Sequence, residues 1–112
     1  MTKQAKNDYD YKVGLISDTH ELVRPRVLEV FKGVDMIIHA GDVGKPEVLE
    51  KLQTIAKTVA VRGNVDYGVL ARNLPLTEAI KIGKAYFYII HDLFDIDLDP
   101  VAGGFSAVIY GH

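Results

Sequence analysis

The sequence predicts an α/β domain that opens as a parallel sheet and then changes to a hairpin and one further strand. Three observations predict this. Short apolar runs alternate with stretches of helical periodicity between Tyr11 and Asp66. The connections between them are short, which favours right-handed parallel crossovers. Beyond Leu74 the alternation gives way to two apolar runs around a Gly-Lys turn.

Val13-Gly14-Leu15-Ile16 is a compact apolar run that empties into Ser17-Asp18-Thr19-His20, which reads as a buried strand leading to a loop. Pro25 precedes Val27, Leu28, Val30 and Phe31 at helical spacing, and Gly33 follows. Proline near the start and glycine past the end suit a short helix. Met36-Ile37-Ile38 is a second buried strand, ending in His39-Ala40-Gly41-Asp42-Val43-Gly44. Pro46 opens a second helix, with Val48, Leu49, Leu52, Ile55 and Ala56 on one stripe. Val59-Ala60-Val61 is the third strand and runs into Arg62-Gly63-Asn64-Val65-Asp66. Leu74 to Ile82 and Ala85 to Ile90, around Gly83-Lys84, read as a hairpin whose second strand ends at His91-Asp92. A loop rich in aspartate (Asp95, Asp97, Asp99) leads to a last strand, Ser106 to Tyr110, and to Gly111-His112.

Composition narrows the function. The chain has 112 residues, with 13 Lys plus Arg against 15 Asp plus Glu, a formal charge of −2. That balance argues against a nucleic-acid partner and gives no attraction to anionic membranes. The absence of cysteine excludes disulfides, thiolate zinc sites and a cysteine nucleophile. Apolar residues make up 48% and charged residues 25%, as in an ordinary globule of one domain. No apolar run approaches the ~18 residues needed to span a bilayer. Residues 1–10 are polar and read as a solvated tail without signal-peptide character, so residues 11–112 are the expected domain and the cytoplasm the expected location. The first strand is followed by neither Gly-x-Gly-x-x-Gly nor a Gly-x-x-x-x-Gly-Lys loop, which excludes the common nucleotide-binding motifs.

The strand ends carry the chemistry. Five predicted strands stop at polar tips that bear Asp18 and His20, then Asp42, Asn64, His91 and His112. Open α/β sheets bind ligands outside the carboxyl ends of their strands. Oxygen and imidazole donors without thiolate suit Mn, Fe, Co, Ni or Zn. On an extended segment Asp18 and His20, two apart, would leave the same face, with Thr19 turned away. Glycine precedes both Asp42 and Asn64, where the backbone must turn sharply or pass close to another element. His39 is expected to orient its loop by hydrogen bonding, and Asp66 to serve a turn or loop-positioning role in preference to acid catalysis. Glu21 is expected in solvent, and Tyr86, Phe87 and Tyr88 in packing. Arg62 either meets a substrate phosphate or covers the acidic loop. The Asp92–Asp99 run lacks the glycine and terminal glutamate of an EF-hand and reads as a solvated loop.

The ordered set Asp18-x-His20, Gly41-Asp42, Gly63-Asn64, His91 and Gly111-His112 resembles the calcineurin-like metallophosphoesterase superfamily. Asp18-Thr19-His20, His39-Ala40-Gly41-Asp42, Arg62-Gly63-Asn64-Val65-Asp66 and Tyr110-Gly111-His112 are similar to its small bacterial and archaeal phosphodiesterase branch. The resemblance implies an αββα sandwich of two sheets. It also implies two divalent metal ions, one on Asp18, His20 and Asp42 and the other on Asp42, Asn64, His91 and His112, with Asp42 bridging. By the same resemblance Asp42 and Asn64 are catalytic, and the expected activity is that of a phosphoesterase, of the phosphodiesterase type, on a small phosphate ester. The dinuclear centre would activate water for in-line attack on phosphorus. The alternative is a protein-interaction scaffold that keeps the fold without turnover. Two departures stand out. The family motif continues as Gly-His-x-His where this sequence ends at His112, so a shortened domain lacking its C-terminal strands is expected. The uncovered edge would invite pairing with a second copy. Val65 occupies the position after Asn64 where many relatives carry histidine, so the leaving group must find its proton elsewhere or depart without one.

Overall fold

The structure is a computed structural model describing residues 10–112, so the expected tail, apart from Asp10, lies outside the described residues. The apolar runs form the strands and the periodic stretches the helices. Strands β1 (Val13–Ile16), β2 (Met36–His39) and β3 (Lys57–Ala60) lie in that order in one sheet, all parallel. Helices α1 (Pro25–Val30) and α2 (Pro46–Gln53) join them, each with proline in its first turn as expected. Proline fits there because its missing N–H has no partner in a helix's first turn. Strand β3 begins two residues before its apolar run because backbone pairing with Met36 reaches back to Lys57, whose side chain stays exposed. Helix α2 stops at Gln53, and Ile55 and Ala56 reach the core from the turn that follows.

The second sheet has the order β4-β5-β6. Strands β4 (Thr77–Ile82) and β5 (Ala85–Ile90) make the expected antiparallel hairpin, and β6 (Ala107–Ile109) pairs with β5 in parallel. A short helix α3 (Gly68–Asn73) was not foreseen. Six residues opening on glycine show too little periodicity to be read from sequence. Burial of Leu70 and Ala71 holds it, and Arg62 ties its last turn through Nη1 to the Ala71 carbonyl, 3.3 Å away.

Strand β2 shows how the layers assemble. Ile37 faces the helices and packs with Phe31, Val48 and Leu52, whereas Ile38 faces the second sheet and packs with Val61 and Ile89. Alternation along one strand therefore serves both the helical layer and the inter-sheet core. Each fully buried isoleucine contributes roughly 2–3 kcal/mol. On the outer face of the second sheet, Tyr88 meets Phe105 edge-to-face at 5.3 Å between centroids, so Tyr88 packs as expected, whereas Tyr86 of the same aromatic run is exposed. The aspartate loop is built from caps. Asp92 accepts from the Phe94 amide at 3.0 Å, and Asp99 accepts from Val101 and Ala102 at 3.0 and 3.3 Å. Among the described residues no helix is long and apolar enough to cross a membrane.

Direction is what positions the site. The register Ile16↔His39↔Ala60 brings β1, β2 and β3 to an end level with one another. Strands β5 and β6 also run together, so His91 and His112 emerge side by side. The two rims meet where His91 Nδ1 lies 2.6 Å from the Ala40 carbonyl.

Candidate metal centre

Main-chain hydrogen bonds lash the loop after β1 to the loop after β2. Ala40 N–H donates to Ile16 (2.8 Å), Asp18 N–H to Gly41 (3.0 Å) and His20 N–H to Asp42 (3.3 Å). These contacts hold Asp18, His20 and Asp42 in the left-handed region, with φ of 54°, 56° and 60°. Among the described residues no other non-glycine residue has positive φ. Such backbone costs on the order of 1 kcal/mol per residue and gathers where function requires it. The expected extended geometry of residues 18–20 is thereby corrected: the segment turns at both residues, because their amides reach across to the β2 loop.

Asp42 is 5% exposed and gripped on both sides. Its Oδ1 accepts from the Val65 amide at 3.0 Å, and its Oδ2 lies 3.2 Å from His91 Nε2. Close approach explains the flanking glycines. A Cβ on Gly41, whose φ is 102°, would stand 2.5 Å from His91 Nδ1, and one on Gly63 would overlap the Asp42 amide and carboxylate.

His91 is 3% exposed. Its Nδ1 faces a carbonyl oxygen, which only accepts, so Nδ1 carries the proton. In the neutral ring Nε2 then holds a lone pair, buried, without a hydrogen bond and directed at the Asp42 carboxylate. A lone pair facing an anion is repulsive, and a cation between them resolves the conflict. His112 completes the group. Its amide donates to the His91 carbonyl at 2.9 Å, and the two rings lie 5.3 Å apart. Asp42, His91 and His112 each offer a ligand atom, all within 4.8 Å of one another. A carboxylate and two imidazoles, one with an orphaned nitrogen, fit a divalent cation.

Asp18 faces Asp42 from the first rim. Burial pushes its carboxyl pKa up, but hydrogen bonds at Ser17 and Asp42 and the charges of His91 and His20 prevail and hold it below the ordinary value. The Ser17 hydroxyl donates to Oδ2 at 2.8 Å. His20 is exposed and shares a cleft of about 690 Å³ with Asp18. Asn64 is also exposed and shares a separate cleft of about 470 Å³ with His91. The structure thus gathers Asp42, His91 and His112 tightly, sets Asp18 against Asp42, and leaves His20 and Asn64 exposed in these two clefts.

Two groups hold this arrangement from behind. Asp66 is buried, and its carboxylate accepts four amides: Asp42 (3.1 Å), Val43 (3.2 Å), Gly44 (3.0 Å) and Gly63 (2.9 Å). This is the loop-positioning role expected of it, and it clamps the β2 and β3 loops together. His39 is fully buried, with Nδ1 accepting from Gly41 N–H at 3.1 Å and Nε2 3.0 Å from the Thr19 hydroxyl. Sequence reasoning missed the parts of Ser17 and Thr19, because a hydroxyl beside a ligand carries no signal of its own. Glu21 is exposed and pairs with Lys45 at 3.7 Å. Arg62 is tied to α3 and borders the aspartate loop.

Residues 11–112 match the family described as the calcineurin-like phosphoesterase superfamily domain. A probable metallophosphoesterase of Methanocaldococcus jannaschii is 44% identical over 84 residues, covering 70% of this chain and 42% of that protein. The match therefore spans about two fifths of the relative's length. Vps29 of Chaetomium thermophilum shares the fold, with TM-score 0.71 at 16% identity over 89% of this chain and 60% of that one. Yfce, a phosphoesterase from E. coli, gives 0.58 at 27% identity over 74% and 58%.

Proposed function

The chain belongs to the calcineurin-like phosphoesterase superfamily, and from that premise we propose that it is a metal-dependent phosphodiesterase acting on a small phosphate ester. In this reading one divalent cation is held by Asp18, His20 and Asp42 and a second by Asp42, Asn64, His91 and His112. The observation that carries it is the buried Nε2 of His91, without a hydrogen bond and aimed at the Asp42 carboxylate. When bound, such cations lower the pKa of the attacking water and neutralise charge at the phosphate. The protein's own share is orientation. The Ala40 carbonyl fixes the His91 tautomer, the Val65 amide aims Asp42, and the Ser17 hydroxyl bonded to Asp18 helps hold that carboxyl below its ordinary pKa.

The test joins metal content to turnover. Purified protein in excess manganese or nickel is expected to hold two ions per chain by elemental analysis and to hydrolyse bis-p-nitrophenyl phosphate. Asp42→Ala should lose both ions, because one carboxylate serves both positions. Two bound ions without hydrolysis would refute the assignment. Less than one ion per chain would favour a scaffold, a use consistent with a Vps29 of this fold having been solved with a bound cyclic peptide.

A further inference from the structure

Thr19 stands between Asp18 and His20, the two left-handed residues that present one of the proposed cation positions. Its carbonyl accepts the Glu21 amide at 2.9 Å and the Leu22 amide at 3.2 Å, which closes the turn. Its hydroxyl crosses to the loop after β2. There Oγ1 donates to the Val43 carbonyl at 2.9 Å and lies 3.0 Å from His39 Nε2. His39 Nδ1 accepts from the Gly41 amide, so the neutral ring carries its proton on Nε2 and donates it to Thr19. The hydroxyl is thereby engaged as donor and as acceptor, and one buried ring joins Gly41 to Thr19.

This contact falls where the two halves of a single cation position meet. Asp18 and His20 come from the β1 loop, and Asp42 comes from the β2 loop. The main-chain bonds on either side of Thr19 end on Gly41 and Asp42, and the one from His20 is long at 3.3 Å. Backbone at φ 54° and 56° persists only where its surroundings hold it. The other cation position draws on different restraints. The Val65 amide holds Asp42, the Ala40 carbonyl holds His91, and the His91 carbonyl holds the His112 amide. We propose that Thr19 is a positioning residue, with His39 as its anchor, for the Asp18–His20 side of the centre. Its hydroxyl sets the turn, and through the turn the affinity of that cation position, without serving the His91–His112 position. The inference rests on the two-cation reading.

The test measures manganese binding to the full chain by calorimetry. His20→Ala and His112→Ala mark which affinity class belongs to which position. Thr19→Val keeps the shape of the side chain and removes the hydroxyl. It should weaken the class that His20→Ala abolishes by about tenfold, the lower end of the range for losing a hydrogen bond that orients a ligand, and leave the other class unchanged. Thr19→Ser restores the hydroxyl and should restore the affinity. His39→Asn keeps an acceptor for Gly41 but falls short of Thr19, so it should reproduce the selective loss, and it carries the test if Thr19→Val does not fold. Equal weakening of both classes, or of neither, overturns the inference. So does a Thr19→Ser variant that behaves like Thr19→Val. A wild type that binds fewer than two ions, or a His20→Ala variant that keeps both, refutes the two-cation reading itself, and this inference falls with it.

Discussion

Acidification should destabilise this fold through His39, by an amount that follows from its hydrogen bonds. The Thr19 hydroxyl donates to the Val43 carbonyl at 2.9 Å, so its oxygen accepts from His39 Nε2–H at 3.0 Å. Nδ1 accepts from Gly41 N–H. Both ring nitrogens are thus satisfied only in the neutral ring, and a second proton would confront an amide hydrogen. Burial lowers the pKa from 6.5 to about 4, helped by His91 and opposed by Asp66 and Asp18. The unfolded chain takes up this proton below 6.5 and the folded chain only near 4, so stability present above pH 6.5 is lost as pH falls through that window. A gap of about 2.5 pH units at about 1.4 kcal/mol per unit is on the order of 3 kcal/mol. His39→Asn places an oxygen where Nδ1 stood and does not titrate. Urea unfolding of both metal-free proteins from pH 7.5 to 4 should show the wild type losing on the order of 3 kcal/mol more than the variant. Contributions common to both cancel in the comparison. Parallel stability curves would refute the argument.

Other perturbations test the scaffold around the site. Asp66→Asn offers one oxygen and an amide where two oxygens served four donors, and should cost ~2–4 kcal/mol in urea unfolding. A loss under 1 kcal/mol would mean the clamp is not needed. His20→Gly removes the Cβ from a residue at φ 56°. Relief of about 1 kcal/mol is partly offset by added freedom in the unfolded chain. Metal-free stability should therefore hold or rise slightly, while the increase in Tm on adding manganese shrinks. A large metal-free loss would contradict the strain reading. Gly63→Ala drives a methyl into the Asp42 amide and carboxylate and should cost more than ~2 kcal/mol. A wild-type Tm for that variant would refute the close packing of the two loops.

Much of this fold was legible because it rests on periodicity. The three parallel strands, both proline-led helices and the hairpin all announced themselves by spacing and punctuation. The short helix at Gly68–Asn73 did not, since tertiary burial of Leu70 and Ala71 supplies what local pattern lacks. The candidate ligands were legible because each follows an apolar run, and a strand's end is where a side chain escapes the sheet. Their mode of presentation was not. Reading Asp18 and His20 as one face of an extended segment failed because the left-handed turns are imposed by amides reaching to Gly41 and Asp42, which lie more than twenty residues away. The parallel pairing of β6 with β5, which sets His112 beside His91, is likewise a long-range outcome that the long aspartate-rich segment between the two strands conceals.

The features that destabilise the rim all converge on one point. His91 turns a lone pair onto the buried Asp42 carboxylate, and all three non-glycine left-handed residues described stand on the same two loops. A fold selected for stability alone would replace such a cluster with apolar groups. Here the chain instead spends a buried carboxylate on four amides and a buried histidine on two more contacts to keep the cluster in place. Repulsion held rigid by satisfied neighbours is the signature of preorganisation, because the strain is already present before any ligand arrives and positive charge relieves it. The core between the sheets, built from Ile38, Val61 and Ile89, carries the stability that lets the rim remain in conflict.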